Sequence, residues 1–147
     1  MRKVQNNILV ELHVPNLELV KDFYSKLGFV VAVENALTET QSGYLTMNRT
    51  DNLGTTLLNF YGGDDKVYNQ SYFKKFPKDT KRGYAVEITI PVENIEELYK
   101  QIETQLKDNI AQPLKEMQDH EHIWKDFRLV DPFGFYIRFT ELMDWGQ

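Results

Sequence analysis

The strongest constraint on the fold is an internal repeat, because the two halves of the chain carry the same residue pattern. A shift of 78 residues, from Val10 to Ile88, brings residues 9–17 onto residues 87–95 and makes their alternating apolar positions coincide. The same shift places Asn16 on Asn94. Apolar and polar residues that alternate are typical of a strand, and a repeat of this length indicates two copies of one supersecondary unit. Each copy is therefore predicted to open with a strand that runs into a capped helix.

The two predicted helices begin at these equivalent asparagines. The short side chain of Asn16 accepts a hydrogen bond from the free amides of a first turn, and Gly28 supplies the C-terminal stop. The second helix is predicted to start near Asn94, with Glu97 completing a capping-box-like pair. The residues at helical spacing on the apolar faces are Leu17, Val20, Phe23, Tyr24 and Leu27 in the first helix and Ile95, Leu98, Ile102 and Leu106 in the second.

Three shorter strands are predicted after each helix. The last strand of each half follows a turn, at residues 51–54 and 131–134, that begins with Asp and ends with Gly. The predicted strands are Phe29–Glu34, Gly43–Met47 and Thr55–Tyr61 in the first half, and Gln112–Met117, Lys125–Val130 and Phe135–Thr140 in the second.

One βαβββ unit leaves part of its sheet uncovered, so two such units are expected to act together. We predict a single α+β domain over residues 1–147, with modules at about 1–62 and 83–147 and a polar loop at 63–82. The expected architecture is a curved, partly open eight-stranded sheet or barrel.

Composition narrows the functional classes. The formal charge of −5 argues against nucleic acid as a partner, because binding to a phosphate backbone requires a basic face. No apolar run approaches the roughly 20 residues that span a bilayer, and Met1–Asn7 lacks the apolar stretch of a signal peptide. The absence of cysteine excludes disulfides and thiolate chemistry. A cytoplasmic protein without a membrane partner is expected.

Two motifs follow one another along the chain. The first runs from Val14-Pro15-Asn16-Leu17 through Asp22-Phe23-Tyr24 to Leu27-Gly28-Phe29. The second runs from Trp124 through Phe127 to Asp131-Pro132-Phe133-Gly134. They resemble the vicinal-oxygen-chelate superfamily, which includes glyoxalase I, extradiol dioxygenases, fosfomycin-modifying enzymes and bleomycin-resistance proteins. The resemblance covers essentially the whole chain and implies the glyoxalase/bleomycin-resistance fold.

The resemblance also implies where catalytic relatives would hold a divalent metal. The corresponding positions here are Leu9, Asn59, Glu87 and Arg138. Leu9 has no donor atom and the guanidinium of Arg138 repels a cation, so only Glu87 is a competent ligand. We therefore predict no metal and no cofactor. One divalent ion in a rearranged site, with Glu11 and His13 on one strand, stays open as an alternative; the histidines of residues 119–122 are expected to be solvated in a surface turn.

Strand parity predicts which side chains line a binding groove. On the first strand Ile8, Val10, Leu12 and Val14 are expected to face the helix, and on the equivalent strand Val86, Ile88, Ile90 and Val92. The residues that alternate with them on these two strands then face the groove, as do Tyr136, Arg138 and Thr140 of the last strand. The predicted ligand-binding set is Glu11, His13, Asn59, Glu87, Trp124, Tyr136 and Arg138, with no catalytic residue identified.

Purely structural roles for these residues stay open as alternatives to ligand binding. Glu87 and Arg138 can simply neutralise each other, His13 can be a satisfied imidazole, and Trp124 can be a rim or interface residue. Tyr68, Tyr72 and Phe73 of the loop are candidates for further walls of the groove.

The pattern is most similar to the metal-free bleomycin-resistance type. It favours a protein that sequesters a small molecule, aromatic or cationic, and antibiotic resistance is one role that this implies. The alternative is a metal-dependent lyase or isomerase, thiol transferase or dioxygenase with a rearranged site. A scaffold that only dimerises is a third hypothesis. A homodimer is expected in each case.

Overall fold

The computed structural model describes residues 8–77 and 79–145. The expectation for Met1–Asn7 and the Lys78 position of the predicted loop lie outside these residues. The strands are β1 Val10–Val14, β2 Val30–Asn35, β3 Gly43–Asp51, β4 Gly54–Gly62, β5 Glu87–Pro91, β6 Ile110–Asp119, β7 His122–Val130 and β8 Tyr136–Thr140, and the helices are α1 Leu17–Lys26 and α2 Ile95–Ile102.

The element order repeats the βαβββ unit twice, which confirms the predicted α+β fold class. The strands form two four-stranded mixed sheets, ordered β1-β4-β3-β2 and β5-β8-β7-β6, and neither sheet is closed. In both sheets the first strand of the unit pairs in parallel with the last, β1 with β4 and β5 with β8. The repeat in the sequence is therefore a repeat in topology.

The chain divides into two compact units. Within the described residues, unit 1 comprises residues 8–49 and 55–77, and unit 2 comprises residues 50–54 and 79–145. Among the described residues, no helix is long and apolar enough to cross a membrane.

The caps of the two helices differ although their asparagines are equivalent. Asn16 caps α1 as predicted, since its side chain accepts from the Leu19 amide at 3.0 Å. Asn94 occupies the N-cap of α2, but its side chain makes no capping bond with the described residues. The predicted capping-box-like pair at Asn94 was wrong. Its backbone, at φ −116° and ψ 72°, lies away from the extended conformation that Asn16 adopts at φ −151° and ψ 109°.

The apolar faces of both helices are buried as predicted. In unit 1 the Tyr24 ring contacts those of Phe23, Phe29 and Phe60 at centroid distances of 4.9–5.6 Å. In unit 2 the Phe127 ring stacks on Phe139 and meets Tyr99 of α2 edge-on, each at 5.2 Å. Each helix therefore packs its apolar face on one side of a sheet, which leaves the other side for polar groups.

The two repeated turns are built alike. Asp51 Oδ1 accepts from the Leu53 amide and Asp131 Oδ1 accepts from the Phe133 amide, both at 2.9 Å. Asp131 Oδ1 also accepts from the Phe135 amide. These side-chain bonds fix each turn just before the last strand of its βαβββ repeat.

Some predicted strand positions were wrong at the strand ends. Val86 was expected to face a helix, but it precedes β5 and is 61% exposed. The strand begins only at Glu87 because Gly83 and Ala85 have positive φ values of 72° and 62°. Ile8 also precedes its strand and is 70% exposed. Leu106, although buried, lies beyond the end of α2.

Candidate functional site

The polar side of the unit 2 sheet carries a connected set of charged side chains. On β7 the residues Phe127 and Leu129 are fully buried, whereas Trp124, Asp126 and Arg128 alternate with them. We call the connected side chains the unit 2 network: Glu87 of β5, Gln112 of β6, Trp124, Asp126 and Arg128 of β7, and Arg138 of β8.

Asp126 lies at the centre of the unit 2 network, with its side chain 0% exposed. Its carboxylate accepts from Arg138 Nε at 2.9 Å and lies 2.8 Å from Arg138 Nη2. Gln112 Nε2 donates to it at 2.6 Å and Trp124 Nε1 at 3.3 Å. Four donors on one buried carboxylate fix the orientation of Arg138 and of the indole ring.

Arg128 and Glu87 form the outer part of the unit 2 network. Arg128 and Arg138 are directly paired positions on antiparallel β7 and β8, an arrangement that repels unless carboxylates compensate it. Glu87 Oε2 lies 3.4 Å from Arg128 Nε, and Glu87 Oε1 lies 3.7 Å from Arg138 Nη1. Arg128 Nη1 donates to Gln112 Oε1 at 3.0 Å. The two arginines are thus held side by side by one buried and one half-exposed carboxylate.

A second polar cluster lies on unit 1 around His13. The imidazole is only 8% exposed, and hydrogen bonds join its Nε2 to Glu11 Oε1 at 2.9 Å and its Nδ1 to Gln70 Oε1 at 3.0 Å. We call this group the His13 cluster; its remaining members are the aromatic rings that contact the imidazole at centroid distances of 4.8–5.8 Å, Tyr61, Tyr72 and Phe73.

The loop that follows β4 contains two short 3-10 helices, Asp65–Tyr68 and Ser71–Phe73. The loop residues of the His13 cluster come from the second one, since Tyr72 and Phe73 lie in it and Gln70 is its N-cap residue. The pKa of the Tyr72 phenol is raised, first because its hydroxyl is desolvated and then because it hydrogen-bonds to Tyr61. The nearby Glu11 carboxylate also raises it. Tyr72 and Phe73 contact the His13 ring although they are themselves 62% and 41% exposed. Tyr68 is 52% exposed.

A polar recess of about 870 Å³ opens on unit 1 beside this cluster. Tyr44 and Tyr61 line it together with the loop between β2 and β3. Thr38 and Gln41 fix that loop, since the Thr38 amide donates to the Gln41 carbonyl at 2.9 Å and the Gln41 amide donates to Thr38 Oγ1 at 3.0 Å.

The structure brings the predicted site residues together in two groups. Glu87, Trp124 and Arg138 join the unit 2 network, and Tyr136 is the β8 neighbour of Glu87 in the parallel register. Glu11 and His13 join the His13 cluster. The seventh residue, Asn59, pairs with Glu11 in the register of β1 and β4 and accepts from Thr46 Oγ1 at 3.0 Å. Thr140, which parity placed in the groove, is fully buried and donates to the Glu141 carbonyl.

The positions that correspond to the metal ligands of the vicinal-oxygen-chelate superfamily do not carry side chains that fit a metal site. Leu9 is 65% exposed and has no donor atom, and Asn59 is committed to Thr46. Glu87 is paired with two guanidinium groups, one of which is Arg138. Among the residues that the structure describes, no three His, Cys, Asp or Glu side chains are grouped in a way that holds a metal ion.

Three important members of the unit 2 network escaped the sequence interpretation: Gln112, Asp126 and Arg128. The parity of β7 carried the signal for two of them, because Asp126 and Arg128 share the face of Trp124 between the apolar Phe127 and Leu129. Gln112 had no such signal, since register irregularities flank it on β6.

Comparison with solved structures confirms the resemblance to the glyoxalase/bleomycin-resistance/dioxygenase superfamily, whose fold the chain shares. A glyoxalase family protein from Enterococcus faecalis is 25% identical, with a TM-score of 0.60 over 93% of this chain and 98% of that chain. A bleomycin-binding protein solved with bleomycin is 15% identical, with a TM-score of 0.56 over 95% and 100%. TioX from Micromonospora sp. ML1 is 17% identical, with a TM-score of 0.60 over 94% and 99%. No protein-family model and no curated protein sequence matches the chain.

Proposed function

We propose that this protein binds and sequesters a small organic molecule without using a metal ion. The observation that carries the proposal is the chemistry at the family's ligand positions. An apolar side chain stands at Leu9, a cation at Arg138, and the carboxylate of Glu87 is paired with two guanidinium groups. A metal would have to displace these cations from Glu87 and would still lack the three or four converging donors that it needs.

The unit 2 network is the proposed binding surface. The half-buried Trp124 ring is held by its bond to Asp126, so it offers a fixed aromatic face to a flat ligand. The surrounding guanidinium and carboxylate groups supply directional hydrogen bonds, which give such a pocket its specificity. The structural likeness to a bleomycin-binding protein supports this kind of activity, and bleomycin is therefore one probe among several.

A metal assay and a ligand screen on one sample test the proposal. Protein purified without chelators is expected to contain much less than one divalent ion per chain by elemental analysis. A thermal-shift screen that includes bleomycin and planar aromatic compounds is expected to yield ligands whose binding is unchanged by EDTA. A stoichiometric Zn, Ni, Mn or Fe content would overturn the proposal and favour a metal-dependent lyase, isomerase, transferase or dioxygenase.

Variants of Trp124 locate the site. Trp124→Ala is expected to weaken an aromatic ligand by about tenfold, because a ring contact contributes roughly 0.5–2 kcal/mol. Trp124→Phe keeps an aromatic face and is expected to keep most of the affinity. The control is Tyr84→Ala, which removes an aromatic ring that is 81% exposed and precedes β5. An equal loss in Trp124→Ala and Tyr84→Ala would place the ligand elsewhere.

We further propose that the protein is a cytoplasmic homodimer in which sequestration can confer antibiotic resistance. The support for association is β2, an edge strand of its sheet whose residues are exposed throughout. Val30, Val31 and Val33 are 61%, 44% and 49% exposed, and an apolar edge strand is a surface that pairs with another chain. Sedimentation analysis of the wild type and of Val31→Lys tests this; a monomeric wild type contradicts it.

A further inference from the structure

The unit 2 network has more hydrogen-bond donors than acceptors. Its two guanidinium groups, one indole, one amide and the neighbouring Thr89 hydroxyl carry roughly fourteen donor hydrogens, against roughly twelve acceptor positions on its two carboxylates, the amide oxygen and the hydroxyl. Donors that face water can be satisfied by it, whereas a buried donor normally finds an acceptor within the protein. The surplus therefore matters where one of these donors is buried.

Arg128 shows the shortage of acceptors most directly. Its Nε is buried and has no hydrogen-bond partner within residues 8–77 and 79–145. Glu87 Oε2 lies 3.4 Å from this atom but outside hydrogen-bonding geometry. The hydrogen bond that Arg128 makes through its guanidinium goes from Nη1 to the neutral oxygen of Gln112. A buried donor without an acceptor is costly, so an incoming acceptor at this place is favoured.

Arg138 shows the same shortage at a second point. Arg138 Nε donates to Asp126 and Nη2 lies 2.8 Å from the same carboxylate. Nη2 also donates to the sulfur of Met143 at 3.8 Å. A thioether is a weak acceptor. This guanidinium N–H therefore has a weaker partner in Met143 than a carboxylate oxygen would provide.

The two carboxylates of the unit 2 network play different parts. Asp126 is fully buried and already accepts from four donors, so it is fixed and has no capacity for a ligand. Glu87 is 35% exposed, its contacts with the arginines are long at 3.4 and 3.7 Å, and its short bond is the one from Thr89 Oγ1 at 3.1 Å. Glu87 is therefore the carboxylate that another oxyanion can replace, because it can turn into water.

We propose that the ligand of the unit 2 network carries a planar oxyanion of the carboxylate class. The oxyanion accepts from Arg128, with Arg138 beside it, and displaces Glu87; an aromatic group attached to the oxyanion lies against Trp124. A guanidinium fork matches two oxygens of one carboxylate, and Asp126 and Gln112 preorganise the fork before binding. This assignment of ligand charge rests on the proposed small-molecule binding function and replaces the expectation of a cationic ligand.

Three probes that share one ring and differ in charge test the assignment: benzoate, benzamide and benzamidine. Each is titrated into isotope-labelled protein, and the side-chain Nε–H signals of Arg128 and Arg138 and the Nε1–H signal of Trp124 are followed by NMR. Benzoate is expected to shift the arginine signals and to bind at least about tenfold more tightly than benzamide, which lacks the charge-assisted bonds. Benzamidine is expected to bind more weakly than benzoate.

Variants that alter one charge make the test specific. Arg128→Gln is expected to reduce benzoate binding to the level of benzamide. Glu87→Gln keeps both arginines and frees them, so it is expected to strengthen benzoate binding several-fold. Lys100→Gln removes an equal charge from the exposed side of α2 and is expected to leave binding unchanged. Thermal unfolding of each variant checks that the fold persists, and Glu87→Gln serves where Arg128→Gln unfolds.

The outcomes separate this proposal from the one on which it rests. Preference for benzamidine, equal binding of all three probes, or weaker benzoate binding in Glu87→Gln would overturn the oxyanion assignment. Absence of any arginine shift at the solubility limit of benzoate would overturn it as well. In each of these cases a ligand from the thermal-shift screen that still depends on Trp124 would leave metal-independent binding in place. Stoichiometric metal in the purified protein would instead remove the proposed function itself.

Discussion

Asp126→Asn is the sharpest test of the unit 2 network. The substitution keeps the size of the side chain but removes the charge that compensates Arg138. Asp126 is 0% exposed and Arg138 14% exposed, so the pair is shielded from water and its loss is not screened as at the surface. The amide that replaces one carboxylate oxygen also presents a donor where Arg138 or Gln112 donates.

The expected cost follows from this burial. Removal of one partner of a buried pair destabilises a protein by about 3–5 kcal/mol, and the remaining exposure of Arg138 favours the lower end. For a chain of this length about 3 kcal/mol corresponds to a fall in melting temperature of roughly 10 °C. Asp126→Asn/Arg138→Met removes both charges and is expected to recover most of that loss, because a neutral pair of similar volume has no stranded charge.

Urea unfolding of the wild type, the two single variants and the double variant gives a double-mutant cycle. A coupling free energy of about 2 kcal/mol or more is expected between positions 126 and 138. Asp119→Asn is the control, since this side chain is 70% exposed at the end of β6 and loss of its charge is expected to cost under about 0.5 kcal/mol. If Asp126→Asn costs no more than Asp119→Asn, the buried network does not hold Arg138 as described.

Three further predictions concern the frame around the sites. Asn16→Ala is expected to cost about 1 kcal/mol in chemical denaturation because a capping bond is lost, whereas Asn94→Ala is expected to cost only a few tenths, and equal costs would contradict the two caps. Gly62→Ala is expected to cost about 3 kcal/mol or more, because the φ of Gly62 is +124° and a Cβ would lie 2.2 Å from Val67 Cγ1 and 2.5 Å from the Val14 carbonyl oxygen. Gly54→Ala is expected to cost less, since Gly54 has a φ of +146° but a Cβ there would have no atom within 4 Å. The reverse order in thermal unfolding would refute this. The pKa of Tyr72 is raised in the folded protein, so the unfolded chain releases this proton first as pH rises. Above the ordinary tyrosine pKa of about 10, stability is therefore expected to fall as pH rises through the folded value. Tyr72→Phe is expected to flatten that slope, and an unchanged slope would contradict the raised pKa.

The fold was predictable because the sequence patterns that define it are local. Alternating residues marked β1 and β5, and the helical spacing after Asn16 and Asn94 marked α1 and α2. The repeated Asp–Gly turns fixed where each last strand begins. The errors in strand position fell at strand ends, where the positive φ of Ala85 ended the pattern without any signal from the residue type, and the error in capping fell at Asn94.

The division of the site residues between two groups was not predictable in the same way. Parity assigns a residue to one side of its strand, and it placed Glu11, His13, Glu87 and Arg138 on the polar sides. It does not specify which loop residues pack against them. Gln70 reaches His13 from the N-cap position of the short 3-10 helix Ser71–Phe73, and nothing in the alternation of β1 indicates that contact.

The unit 2 network adds a rule that parity alone does not contain. Arg128 and Arg138 are opposed on adjacent strands, and like charges in that position destabilise a sheet by up to about 1 kcal/mol unless something compensates them. A sequence that opposes two arginines on a buried sheet face must therefore supply carboxylates within reach, and Asp126 is the nearest candidate on the same face of β7. Because Asp126 is saturated by Arg138, Gln112 and Trp124, the second arginine is left with a loosely held partner in Glu87. The physical basis of the proposed specificity is this asymmetry. Arg138 is held by the buried Asp126, whereas Arg128 remains able to exchange the carboxylate of Glu87 for that of a ligand.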